Sequence, residues 1–162
     1  MLNQPGSDSR LDRPIWGQAE EVRPTHLIAG TLVGSYEIEA FLGAGGMGKV
    51  FRARDTRLNR TVAIKFSKLH FTEAFRREAR AAAALNHPNV VQIYELGFAD
   101  GDEFIVMEFI PGRSLAELIR QKRLSLEEAL ACSHQIVSAL AAAHAAGIVH
   151  GDIKPGNIIV ND

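Results

Sequence analysis

A single cysteine, Cys132, stands in a chain of 162 residues, so no disulfide can form within it. That suits a reducing compartment, and a cytoplasmic location is the expectation. No apolar run approaches the ~18 residues that span a bilayer, and Met1 does not open a secretory signal. No membrane segment is expected in this chain. An excess of one charge is missing too. Lys and Arg number 18 against 19 Asp and Glu, for a formal net charge of −1. Such a balance gives no general pull toward nucleic acid, which is not an expected partner. Internal repeats are absent. What is present is an ordinary globular composition, with 46% hydrophobic and 23% charged residues. The length suits one domain.

Residues 1–29 carry no sustained period, and Pro5, Gly6, Pro14 and Pro24 interrupt any regular element. They read as a flexible leader; Ile15 and Trp16 are the residues that could dock it on the folded part. From Tyr36 the pattern changes. Tyr36, Ile38, Ala40 and Leu42 alternate with polar or small residues, the period of a half-buried strand. A second strand is predicted from Val50 and a third over Thr61–Phe66. Thr72 is a candidate cap for a helix over Glu73–Asn86. Val90–Leu96 and Glu103–Phe109 predict a hairpin around Asp100-Gly101. Five strands and one helix thus precede the break at Pro111-Gly112. Beyond it Ser125 and Glu128 have the spacing of a capping box, and Leu126, Leu130, Val137 and Leu140 recur at helical spacing up to a stop at Gly147.

Three constellations carry chemistry. The first, Gly43-Ala44-Gly45-Gly46-Met47-Gly48, has G-x-G-x-x-G spacing. Dinucleotide-binding folds use this spacing where the loop opens a helix. Here Lys49, Val50 and Phe51 follow, which is a strand. A glycine loop between antiparallel strands can offer backbone N–H groups to phosphates, because no side chain holds the backbone away. An ordinary glycine-rich hairpin would look the same in isolation. The second is Val62-Ala63-Ile64-Lys65. A lysine in an apolar strand either snorkels to water at an edge or serves as a cation under phosphates. Glu78, on the following helix, is a suitable partner for it. The third runs from Ile148 to Val160 and holds His150-Gly151-Asp152-Ile153-Lys154-Pro155-Gly156-Asn157. Asp152 can accept a proton from an attacking hydroxyl. Asn157 can ligate Mg²⁺ through its amide oxygen. Lys154 can neutralise charge on a transferred phosphoryl group. His150 reads as a packed, structural histidine. A capped turn between helix and strand would account for the Asp and Asn, but not for the lysine and the flanking apolar triplets together.

In this order the three stretches resemble the signature set of the protein kinases: glycine loop, V-A-I-K lysine and H-x-D-x-K-x-x-N catalytic loop. Asn86-His87-Pro88-Asn89-Val90-Val91 and Phe104-Ile105-Val106-Met107-Glu108-Phe109 look like the same family. Lys154 and the G-A-G-G-M-G loop point toward its bacterial serine/threonine members. The resemblance implies an α+β fold: a five-stranded antiparallel lobe with one helix over 30–109, then a hinge and partial helical lobe over 110–162. It implies ATP and Mg²⁺ as cofactors and a protein with a Ser/Thr acceptor as partner. Gly43, Ala44, Gly45, Gly46, Met47 and Gly48 would cover the phosphates. Lys65 would hold them and pair with Glu78. Leu42, Val50 and Ala63 would roof the adenine, with Ile159 as floor and Met107 at the back. The backbone of Glu108 and Ile110 would meet the adenine edge. Asp152 would be the catalytic base, Lys154 a γ-phosphate contact and Asn157 the Mg²⁺ ligand.

Two departures stand out. Gly151 occupies the place of the arginine that commonly pairs with a phosphorylated activation loop, which implies activity independent of that phosphorylation. The 162 residues also contain no D-F-G or A-P-E motif, so this chain is expected to bind nucleotide without useful phosphotransfer. Gly151 suits a small-molecule kinase of the aminoglycoside or choline type, which shares H-G-D-x-x-x-x-N. The G-x-G-x-x-G-x-V loop, V-A-I-K and Lys154 favour a protein kinase. A nucleotide-binding module without catalysis is the non-enzyme alternative.

Overall fold

The alternation of apolar residues decides which way each strand faces. The computed structural model describes residues 27–45, 48–67 and 70–161. Its main sheet runs β1 (Leu32–Val33), β2 (Tyr36–Gly45), β3 (Gly48–Asp55), β4 (Arg60–Ser67), β6 (Asp102–Glu108) and β5 (Ile93–Ala99), each antiparallel to its neighbour. Six strands replace the expected five. The addition is the two-residue β1, which pairs Val33 with Tyr36 and buries Val33 beneath the sheet. In β4, Val62, Ile64 and Phe66 point into the core with 1% exposure or less, so Ala63 and Lys65 point to the opposite face. In β6, Phe104 and Val106 share the core, which puts Glu103, Ile105 and Met107 on the same opposite face as Lys65.

Aromatic edges lock the core. Phe66 meets Phe51 edge-on at 5.8 Å and Phe104 at 5.5 Å, and Phe104 meets Tyr36 at 6.4 Å. Each such buried apolar side chain stabilises the fold by roughly 2 kcal/mol. Leu27, at the end of the segment expected to be a loose leader, packs against this core. Ile28 beside it is 70% exposed, and residues 1–26, with Ile15 and Trp16, lie outside the described residues. Along β2 the predicted alternation stops early. Bulges between Ile38 and Ala40 and between Phe41 and Gly43 shift the register, and Leu42 ends about half exposed.

Helix α1 (Glu73–Ala83) begins where Thr72 accepts a hydrogen bond from the Phe75 N–H at 3.1 Å. It stops three residues short of the expected Asn86. The cap is Ala84, and the chain then turns through His87-Pro88-Asn89. The hairpin between β5 and β6 turns at Asp100-Gly101, one with φ 54° and the other 90°, as the dipeptide predicts. After Pro111 comes β7 (Arg113–Ser114), then the short helix α2 (Leu115–Arg120), capped by the Ser114 hydroxyl, which the sequence reading lacked. The long helix α3 (Leu126–Ala145) starts in a full capping box. Ser125 N–H donates to the Glu128 carboxylate at 2.7 Å and the Glu128 N–H to the Ser125 hydroxyl at 3.2 Å. A 3-10 turn (Pro155–Asn157) leads into β8 (Ile159–Val160), which pairs with β7. Gly112 permits that pairing, since a Cβ there would stand 2.3 Å from the Val160 carbonyl oxygen. Two side-chain contacts tie the sheet region to α3: His87 Nε2 to Ser138 Oγ, and Asn89 Nδ2 donating to Gln135 Oε1, both 3.2 Å.

Candidate functional site

The glycine segment is the tip of an antiparallel hairpin. Gly43 pairs with Val50, Ala44 with Lys49 and Gly45 with Gly48. A strand follows Gly48, which removes the dinucleotide-binding alternative that needs a helix there. Gly46 and Met47 lie outside the described residues. Gly48 is the position where glycine is obligatory. Its φ is +136°, and a Cβ would fall 1.8 Å from the Phe66 carbonyl oxygen on β4. At Gly43 and Gly45 a Cβ would meet nothing within 4 Å, so those glycines keep an open space beneath the hairpin.

Below the hairpin, strand pairing brings Lys65 beside Val50 on one side and Ile105 on the other, and Ala63 beside Met107. Ala63 is buried, and Val50 and Met107 are half-buried. Burial pushes the Lys65 ammonium down from its ordinary pKa; the Asp152 charge opposes that shift and Lys154 adds to it. Glu78 lies on the exposed side of α1. The Glu108 N–H donates to the Gln92 carbonyl at 2.9 Å, so a bond from Glu108 to an adenine edge falls to its carbonyl. Ile110, two positions on, is half-buried, and Ile159 is 43% exposed on β8.

The loop around Asp152 is fully cross-linked. Lys154 Nζ donates to both Asp152 carboxylate oxygens, at 2.9 and 2.8 Å. Asn157 Nδ2 donates to the Asp152 carbonyl at 2.8 Å and to its carboxylate at 2.9 Å. Lys154, then Asn157, hold the Asp152 carboxyl below the ordinary carboxylate range. His150 is exposed rather than packed; its Nδ1 accepts the Asp152 N–H at 3.3 Å and so shapes the turn. Gly151 has φ +71° with open space where a side chain would stand. The Leu115 N–H donates to the Ile158 carbonyl at 2.8 Å, fixing the loop to the start of α2.

Sequence reasoning missed Gln92, whose amide donates to the Ala83 carbonyl at 2.7 Å and whose carbonyl holds the Glu108 N–H. It also missed Glu103, a buried carboxylate on the Lys65 face of the sheet. An acid inside an apolar strand was the available signal for Glu103. Gln92 offered none, since a glutamine between two apolar positions is ordinary.

Comparison with known proteins agrees with this geometry. The protein kinase domain pattern matches residues 36–162. Over 142 residues the chain is 45% identical to the serine/threonine-protein kinase PrkC of Bacillus subtilis, covering 83% of this chain and 22% of that protein. It is 42% identical to PknA of Mycobacterium tuberculosis, covering 80% of this chain and 33% of PknA. Among solved structures, the PknI kinase domain of Mycobacterium tuberculosis superposes with a TM-score of 0.73 at 26% identity, over 83% of this chain and 59% of that one. The chain thus spans about a fifth to a third of these curated relatives' length. By the match of its residues 36–162, the chain belongs to the protein kinase domain family.

Proposed function

We propose that residues 30–109 form the nucleotide-binding lobe of a serine/threonine protein kinase, and that residues 110–162 add the hinge and the catalytic loop. The observation that carries this reading is the glycine hairpin, with Gly43 and Gly45 open to space, next to the strand on which Lys65 pairs with Val50 and Ile105. The relatives named above are protein kinases, which favours this reading over a small-molecule kinase.

The residues fit ATP and Mg²⁺. Gly43 and Gly45 leave room for phosphates under the hairpin, and Lys65 offers them a cation. Leu42, Val50 and Ala63 would roof the adenine and Ile159 floor it, with Met107 behind. Gly46 and Met47 with Ala44 would complete the lid, and Gly48 sets its base against β4. When bound, ATP supplies the transferable γ-phosphoryl group, and Mg²⁺ neutralises part of its charge. Asn157 would offer Oδ1 to the ion, because its Nδ2 is committed to Asp152. Asp152 accepts the hydrogen bond of a Ser or Thr hydroxyl on a protein substrate and orients its oxygen. Among the described residues its Oδ1 accepts from Lys154 alone, which leaves a lone pair for that bond.

The test is binding of a fluorescent ATP analogue with Mg²⁺ to the 162-residue chain. Saturable binding is expected, weakened about tenfold or more in Lys65→Met, the size of a lost charge-assisted contact. An absence of binding, or binding indifferent to Lys65, overturns the reading.

A further inference from the structure

Strand β6 ends at Glu108. The last registered pair between β5 and β6 is Ile93 with Met107, and one step beyond it Gln92 faces Glu108. Opposed residues in a hydrogen-bonded position of an antiparallel ladder exchange two bonds, each N–H meeting the other's carbonyl. Here the Glu108 N–H follows that rule and donates to the Gln92 carbonyl at 2.9 Å. The Gln92 N–H donates instead to the Glu108 carboxylate, at 3.3 Å. The side chain of Glu108 thus stands in for its own carbonyl.

Gln92 is itself fixed. Its side-chain amide donates to the Ala83 carbonyl at 2.7 Å and to the Ile93 carbonyl at 3.2 Å. Ala83 is the last residue of α1, where carbonyls run out of partners within the helix. Glu108 is therefore received by a frame tied both to β5 and to the end of α1. It lies next to Met107, which pairs with Ala63 on the pocket face of the sheet. We propose that the Glu108 carboxylate is a positioning residue for base recognition. By taking the Gln92 N–H it keeps the Glu108 carbonyl out of the ladder, and leaves that oxygen to accept from an amino group on the nucleotide base. Adenine carries an exocyclic amino group; hypoxanthine has an oxo oxygen in its place, which sets acceptor against acceptor. A site built around one hydrogen bond rejects the analogue that cannot make it. The inference rests on the nucleotide-binding reading above.

The experiment displaces the fluorescent ATP analogue with ATP or with inosine triphosphate, each with Mg²⁺, and melts every variant alongside. The wild type is expected to prefer ATP about tenfold or more, the size of one hydrogen bond made against one acceptor left unpaired. Glu108→Leu and Glu108→Ala return the Gln92 N–H to the carbonyl and should bring the two nucleotides within about threefold of each other. Glu108→Gln keeps an acceptor oxygen in place and should keep the preference. Lys65→Met, which acts on the phosphates, should weaken both nucleotides alike. A purely structural role for the carboxylate would lower the melting midpoint and leave the preference unchanged. Lys65-dependent binding with a preference that survives in Glu108→Leu and Glu108→Ala, or that Glu108→Gln loses as fully as they do, overturns this inference alone. A wild type that binds both nucleotides equally does so too, as does loss of the fold in both the leucine and alanine variants, since the contact is then structural. A wild-type chain that binds no nucleotide overturns the functional reading and this inference with it.

Discussion

Lys154 grips both carboxylate oxygens of Asp152, at 2.9 and 2.8 Å, while Asn157 donates to the same side chain from the far end of the loop. Without nucleotide, the candidate base is held by a neighbouring cation rather than offered freely to solvent. Both contacts favour the ionised acid, Lys154 more strongly, so the folded-state pKa lies below the ordinary value. The sign follows: the contribution is present above the ordinary aspartate pKa of ~3.9 and is lost as pH falls through the lowered folded value. Lys154→Ala should raise the Asp152 titration midpoint toward ~3.9. Carbon-detected NMR of the nucleotide-free chain reads this directly, and an unmoved midpoint would count against Lys154 as the cause.

The glycines of the hairpin should separate by role. Gly48→Ala drives a Cβ into the Phe66 carbonyl at a backbone angle that side chains avoid. It should cost stability on the order of 1–3 kcal/mol and weaken nucleotide binding as well. Gly43→Ala and Gly45→Ala meet nothing within 4 Å, so they should melt like the wild type and lose only nucleotide affinity. Thermal melting and analogue binding on the three variants check the split; a stability loss at Gly43 equal to that at Gly48 would refute it.

Much of this was legible in the sequence, because local chemistry and tertiary demand agree there. Val62, Ile64 and Phe66 alternate against Ala63 and Lys65, and the sheet obeys that period. Thr72, Ser125 with Glu128, and Asp100-Gly101 punctuate the chain where their side chains and backbone preferences say they should. What was not legible depends on partners distant in sequence. Leu32–Val33 is too short to carry a period and becomes a strand only because Tyr36 turns back on it. The bulges of β2 expose Leu42 against its alternation. α2 has six residues, below the length at which helical period speaks, and rests on Ser114 and the catalytic loop. The contact of Arg76 with Glu103 spans 27 positions, which no local pattern encodes.

Tyr36 offers a test of the core's edge. Its hydroxyl donates to Glu95 at 2.6 Å, and burial, reinforced by Glu95, pushes its pKa up to about 12. A raised folded-state pKa means this contribution is fully present below the unfolded tyrosine value of ~10 and is lost as pH climbs from there toward 12. Tyr36→Phe should cost about 1.5–3 kcal/mol at pH 8, the range for a hydrogen bond to a charged group. It should also flatten the stability loss between pH 10 and 11. Denaturant midpoints at the three pH values decide it. Equal alkaline slopes for variant and wild type would show that another group carries the effect.

The last test concerns α3. Leu126, Leu130 and Val137 fall on one stripe of the helix and are 78%, 64% and 65% exposed. Apolar residues at that spacing and exposure form a patch of the kind that drives association in water. The helix itself does not depend on them, because its start is fixed by the Ser125–Glu128 box and its inner side by Ala143. Replacing Leu130 and Val137 by Glu should therefore leave the melting midpoint nearly unchanged, within about 0.5 kcal/mol per exposed site. The same change should shift the 162-residue chain toward monomer in sedimentation velocity at concentrations where the wild type self-associates. A double variant that unfolds would mean those side chains are structural after all. One that associates as strongly as the wild type would move the sticky surface elsewhere, with Phe98 and Leu58, 66% and 65% exposed, as the next residues to replace.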